Sequence, residues 1–207
     1  MLPSPARRGI PAWIRWGALV WLSFWLAVYW RVYGPENFLH LCDIAVILAC
    51  AGLWLESPLL LSSQAVGSVI VDAVWGLDVV WRLFLGRHLL GGTEYVFDPR
   101  YPLWVRLLTF FHVVTPPLLL WAVHRVGYDR RAWALQSVIA GGALVASRFT
   151  SPAENLNFAF RAPFFHRAWG PAPAHLAVSL LFTMAVMYLP VHLVLQRLFG
   201  PPKPTAP

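Results

Sequence analysis

Six long apolar segments restrict what this chain can fold into more than any other feature of the sequence. They cover about 13–33, 38–56, 59–83, 103–125, 131–149 and 174–199. A helix needs about 20 apolar residues to cross the hydrocarbon core of a bilayer, and each segment approaches or exceeds that length. The sequence therefore predicts an all-α polytopic integral membrane protein, with six transmembrane helices in one bundle.

The composition excludes the ordinary soluble classes. Apolar residues make up 58% of the chain and charged residues only 12%, and the mean hydropathy is +0.60. A soluble domain has about 45–50% apolar and about 25% charged residues. Too few polar side chains remain to cover a water-facing surface, and the chain is too hydrophobic to be disordered.

The breaks between the segments indicate a single domain. Residues 1–200 are predicted to form one six-helix transmembrane domain, and the proline-rich residues 201–207 a disordered tail. The first segment follows Arg7 and Arg8 but has no small-residue cleavage site at its end. We therefore interpret it as a retained helix and not as a signal peptide.

The positive charge is explained by topology. The net charge is +7, but the arginines lie at the ends of the apolar segments, where they reach lipid headgroups. A nucleic-acid partner is not expected, because its binding site would gather the cations on one face. Membrane lipids are the expected partners, together with possible protein partners within the bilayer. Lys and Arg divide equally between the two sides, so their total number does not decide the orientation. The cations that precede the first helix favour cytoplasmic termini.

Ionisable residues inside membrane segments are expensive to bury and are functional candidates by default. His40 and Asp43, three residues apart, share one helix face at the start of the second segment, and Cys42 lies beside them. The alternatives are a cysteine that only fills the core, and a His–Asp pair that faces headgroups. Gln64, Ser68 and Asp72 form a polar stripe that is typical of contacts between helices.

Depth places several of these groups in one leaflet. Cys42 and His112 are each predicted about 8–9 Å below the same membrane surface, at 1.5 Å of rise per residue. Asp78 approaches that surface from the third segment, and Asn155 and Asn157 follow the fifth. A site that acts on lipid ester or amide groups would lie at this level. In the alternative interpretation, His112 only bonds a carbonyl freed by a kink at Pro116-Pro117.

The motifs at these positions resemble those of a known family. His40-Leu41-Cys42-Asp43, Phe110-Phe111-His112, Asn155 and Asn157 are similar to motifs of the YwaF-like bacterial integral membrane proteins. That family is distantly similar to the androgen-induced membrane lipid hydrolases and to related membrane acyltransferases. The resemblance covers roughly 37–157, and it implies a nucleophile on an early helix, a histidine on a later one, and a location in a bacterial inner membrane.

Carried onto this chain, the resemblance implies that Cys42 is the nucleophile and His112 the base. The imidazole would deprotonate the thiol, which then attacks an acyl carbonyl to form a thioester. Asp43 or Asp78 would orient the imidazole. The substrate-binding residues would be His40, Asn155 and Asn157, with one of the two asparagines donating to the oxyanion. No cofactor and no metal are expected for this chemistry.

Two other functions remain open. His40, Asp43, Asp78 and His112 could form a metal or haem site, although the sequence has no His-x-x-x-His or Glu-x-x-His pair. The chain could also be a non-catalytic subunit or scaffold in a larger membrane assembly, whose helices need only to pack.

Overall fold

The computed structural model describes residues 9–163, 165 and 167–200. Within those residues the chain consists of helices and their connections, with no β-strand. The all-α prediction is therefore confirmed for this part of the chain. The predicted tail at 201–207 lies outside the described residues.

The helices follow the predicted segments closely. In chain order they are α1 (Ala12–Tyr33), α2 (Leu41–Trp54), α3 (Pro58–Leu85), α4 (Glu94–Phe97), α5 (Leu103–Leu107), α6 (Phe111–Val126), α7 (Ala132–Ser147), α8 (Ala172–Phe182) and α9 (Leu189–Phe199). A 3₁₀ turn at Leu108–Phe110 joins α5 to α6, and a π-helical turn at Thr183–Tyr188 joins α8 to α9. Six helical stretches thus occupy the six apolar segments.

Local sequence signals explain where α3 begins and ends. The Ser57 hydroxyl accepts a hydrogen bond from the Leu60 N–H at 3.3 Å, and Pro58 occupies the first helical position, where its missing N–H costs nothing. At the other end, Gly86 adopts a left-handed conformation with φ of 71° and donates its N–H to Arg82. This is a common way for a helix to stop.

Helix α3 is the centre of the bundle. It packs against α2, α6, α7 and α9, and its residues Leu61, Ala65 and Val66 lie in the largest apolar core. Its contact with α2 is close because Gly52 has no side chain: a Cβ there would lie 3.0 Å from Leu61 Cγ. The bundle therefore forms around a helix that is 28 residues, or about 42 Å, long.

In the part of the chain that the structure describes, three stretches are long and apolar enough to cross a membrane. They are Ala12–Tyr33, Leu103–Val126 and Ala172–Phe199, and most of each lies outside the packed interior. Leu41–Trp54 and Ala132–Ser147 are shorter apolar helices. These features indicate a helical protein that associates with a membrane.

The irregular turn within the fourth apolar segment precedes its two prolines. Pro116 and Pro117 both lie within α6, whereas the 3₁₀ turn lies at Leu108–Phe110. The sequence predicted a kink just after His112. The departure from α geometry is instead immediately before it, which places the Thr109 carbonyl beside the imidazole.

Candidate functional site

The start of α2 brings a carboxylate and a thiol together. Asp43 is buried, and the Asn37 amide donates a hydrogen bond to its Oδ2 at 2.5 Å. The Cys42 sulfur lies 3.8 Å from the other oxygen, Oδ1. Asn37 belongs to a 3₁₀ turn, Pro35–Leu39, that precedes α2. Both carboxylate oxygens of Asp43 therefore have a neighbour from the first residues of the second apolar segment.

His112 is held in one orientation and one tautomer. Its Nδ1 lies 2.7 Å from the Thr109 carbonyl oxygen, which can only accept, so Nδ1 carries the proton. In the neutral ring, Nε2 then has a free lone pair. The ring stacks on Trp75 at 4.4 Å between centroids and with 6° between the planes. His112 is thus a buried imidazole whose Nε2 can act as an acceptor or base.

The aromatic neighbours of His112 extend into the connection after α3. The Trp75 indole N–H donates to the Tyr95 hydroxyl at 2.8 Å. Tyr95 lies on α4, outside the apolar segments, and burial raises the pKa of its phenol. The hydroxyl keeps its proton and can donate it onward. Helix α4 therefore covers the His112 region through Tyr95.

The predicted nucleophile and base have different hydrogen-bond partners. Cys42 contacts Asp43, and His112 contacts Thr109, with no hydrogen bond between the two side chains. Catalytic hydrogen bonds are often long before substrate binds, so the pairing of Cys42 with His112 stays a prediction.

Asp72 is the least satisfied carboxylate in the bundle interior. Its side chain is on the buried face of α3, with 5% of the residue exposed. Among the described residues it has no hydrogen-bond partner. Asp72 is therefore an ionisable side chain on α3 that no hydrogen bond from the described residues holds in place.

Asp78, which was predicted to orient His112, instead binds groups in the connection that follows α3. Its carboxylate accepts from five groups, all in the connection after α3. They are the N–H groups of Leu89, Leu90 and Gly91 at 2.8, 2.6 and 3.2 Å, His88 Nδ1 at 2.9 Å, and the Thr93 hydroxyl. The imidazole beside Asp78 is therefore that of His88, and the carboxylate fixes the connection to the end of α3.

Asn157 and Asn155, the two predicted oxyanion donors, both hold backbone in place. The Asn157 amide donates to the Leu39 carbonyl at 2.7 Å and to the Ser147 hydroxyl at 2.9 Å, and its oxygen accepts from the Leu41 N–H at 3.0 Å. The amide group of Asn157 thus has no free N–H. It ties the start of α2 to the end of α7.

Asn155 closes its own loop. Its oxygen accepts from the N–H groups of Phe160 and Arg161 at 2.9 and 3.0 Å, and its amide donates to the Arg161 carbonyl. Among the described residues, the second N–H of this amide has no acceptor.

His40, the remaining predicted substrate-binding residue, lines a small polar cavity. It precedes α2 without a side-chain cap, and it shares a cavity of about 330 Å³ with Tyr33 and Asn37. Glu36 and Glu154 also line this cavity, so its rim is acidic. Among the described residues, no three His, Cys, Asp or Glu side chains are grouped so that they could hold a metal ion.

Sequence reasoning missed the parts played by Asn37, Trp75 and Tyr95. A signal existed for Asn37, because an asparagine just before an apolar segment can cap a helix, and in the structure its amide binds Asp43. No periodicity points to Trp75 and Tyr95, because their contact depends on the path of the connection between them.

The comparison with known proteins gives no match for this chain. The chain matches no protein-family model, no curated protein and no solved structure at a significant level.

Proposed function

We propose that the chain is a six-span membrane protein of the YwaF-like kind, folded as one domain over residues 1–200. The coincidence of six helical stretches with the six apolar segments supports this topology. An even number of spans puts both termini on one side, and the arginines before the first span favour the cytoplasm. The membrane is then a bacterial inner membrane.

We infer that this protein is a lipid-acting hydrolase or acyltransferase. The observation that carries this inference is His112, a buried imidazole whose Nδ1–H is bound to Thr109 and whose Nε2 is free to accept a proton. From its position along the fourth apolar segment, it is expected at the same depth as Cys42, at the level of acyl carbonyls. His112 takes the thiol proton, and the Cys42 sulfur attacks the ester carbonyl; the ester C–O bond then breaks, and the leaving alcohol takes the proton from His112. Water or an acceptor hydroxyl then releases the acyl group from the thioester.

The other predicted residues take supporting parts in this scheme. Asp43 contacts the thiol directly, so it positions Cys42 together with Asn37. His40 lines the polar cavity and is the residue best placed to meet a headgroup. Asn155 keeps one amide N–H that no described residue accepts, and this N–H could donate to an oxyanion. The side chains of Asn157 and Asp78 instead form hydrogen bonds that hold the backbone in place.

A thiol-reactive acyl probe tests the scheme, because the chain has a matched internal control. Cys42 and Cys50 are its two cysteines, eight residues apart on α2. We expect Cys42→Ala to abolish acylation of the purified protein and Cys50→Ala to preserve it. His112→Gln should slow acylation by about 10²–10⁴-fold, the usual contribution of a general base, whereas His124→Gln, at an exposed position, should not. Equal acylation of the two cysteine variants would refute the assignment of Cys42 as the nucleophile.

The second candidate is a non-catalytic subunit. Large apolar side chains on the outer helices favour it, since Trp13 and Trp30 on α1 and Phe149 after α7 are 75%, 63% and 86% exposed. Such faces fit either lipid or a partner helix. Unchanged acylation in all four variants, with co-purification of a defined partner, would favour this second candidate.

The remaining alternative is a haem held by His40 and His112. The absorbance spectrum of the purified protein would reveal it.

A further inference from the structure

A second cavity, separate from Cys42 and His40, lies where the end of α3 meets α4 and α5. It is a cleft of about 240 Å³. All but one of its lining residues are apolar: Val79, Leu83, Val96, Phe97, Leu103, Leu107 and Phe110. Leu83, Leu103 and Leu107 are also more than half exposed on the outer surface. The cleft is therefore open to whatever surrounds the bundle.

The exception in the lining is Arg106, which is incompletely paired. One terminal nitrogen, Nη1, donates to the Val96 carbonyl at 3.3 Å. Its Nε is buried and has no hydrogen-bond partner among the described residues. A buried donor without an acceptor destabilises the fold, and a ligand oxygen at that edge of the guanidinium would remove the cost. The Nε edge is also the edge that binds two oxygens of one oxyanion.

No acidic side chain in the cleft competes for this guanidinium. Asp98 is close enough to act on Arg106 electrostatically. Its carboxylate is bound by Arg100, however, through Nε at 2.8 Å and Nη2 at 2.6 Å. A second guanidinium, that of Arg82, lies 5.6 Å from the Phe97 ring centroid at the cleft wall. The charged groups around the cleft thus favour an anion.

We propose that this cleft binds an anionic phospholipid, with one acyl chain along the apolar lining and the phosphate oxygens on Arg106. The cleft supplies the two features that such a molecule requires, an apolar wall and a planar cation next to it. Arg106 lies at the start of a membrane-crossing stretch, three residues after Leu103, where phosphate groups are found. The site is independent of Cys42 and His112, so it stands or falls separately from the proposed enzyme.

Native mass spectrometry of the full chain in detergent tests the site. Phosphatidylglycerol and phosphatidylcholine with identical acyl chains are titrated against the wild type, Arg106→Gln and Arg87→Gln. Arg87 is a matched control, since it is exposed and does not line the cleft. We expect phosphatidylglycerol to bind about tenfold or more tightly than phosphatidylcholine. Arg106→Gln should remove this preference, as the loss of a charge-assisted hydrogen bond costs about ten- to a hundredfold in affinity, and Arg87→Gln should keep it.

A second variant tests the acyl chain independently of charge. Leu107→Trp fills the cleft from an exposed position, so we expect it to fold with an unchanged circular dichroism spectrum and to bind phosphatidylglycerol more weakly. Equal binding of the two lipids, equal losses in the two arginine variants, or full binding by Leu107→Trp would each overturn the proposal. So would an Arg106-dependent preference for oleate over phosphatidylglycerol, which would assign the site to free fatty acid.

Discussion

Two carboxylates on the same helix, six residues apart, have opposite surroundings. Asp78 accepts five hydrogen bonds from the connection that follows α3. Asp72 lies about 9 Å earlier along the helix axis, is equally buried, and has no partner among the described residues. Two buried carboxylates on one helix can therefore differ in how many hydrogen-bond donors the fold brings to them.

The largest effect is expected from Asp78→Asn. The new amide would present N–H groups to donors that need an acceptor, so we expect the free energy of unfolding to fall by about 3 kcal/mol or more. Thermal unfolding in detergent measures the change. Asp98→Asn is the control, because the Asp98–Arg100 pair is exposed on its arginine side and is screened by solvent, so it contributes little to stability. Similar losses in the two variants would show that the five donors do not stabilise the connection.

Asp72→Asn tests the other half of the comparison. The change keeps the shape of the side chain and removes a buried ionisable group that no described residue hydrogen-bonds. We expect the stability to stay within about 1 kcal/mol of the wild type or to rise. A loss as large as that of Asp78→Asn would mean that Asp72 has a structural partner, and the contrast between the two carboxylates would disappear.

The positions of the helices were largely predictable, because apolar length is a local property of the sequence. The predicted segment 103–125 and the observed stretch Leu103–Val126 differ by one residue at one end. The second segment shows the limit of such reasoning. It was predicted as one helix from 38, but α2 begins at Leu41 after a separate 3₁₀ turn, where Asn157 accepts the Leu41 N–H from 116 residues away.

The candidate site was predictable in its residue types but not in its pairings. The contact of the Cys42 sulfur with Asp43 joins two neighbours in the sequence, whereas helical spacing puts the two side chains about 100° apart. Spacing could not show that Asp78 binds His88, because that contact depends on a connection whose path no periodicity encodes. Contacts between helices and loops are therefore the part of this site that needed three-dimensional information.

The smallest effect should come from an aspartate outside the membrane segments, Asp129 in the turn before α7. Hydrogen bonds from the Arg131 guanidinium, and then from its backbone N–H, hold the pKa of Asp129 below its usual value. A lowered pKa in the folded state stabilises the protein above the unfolded pKa, near about 3.9, and this contribution is lost as the pH falls through the folded value. The melting temperatures of wild type and Asp129→Asn should therefore differ slightly at pH 6 and converge towards pH 3.

Arg130→Gln, a change at a neighbouring exposed position, is the control and should show no such convergence. Because the Arg131 side chain is 75% exposed, 1 M salt should reduce the difference at pH 6. A difference that persisted at pH 3 and in high salt would mean that Asp129 acts through the shape of the turn and not through its charge.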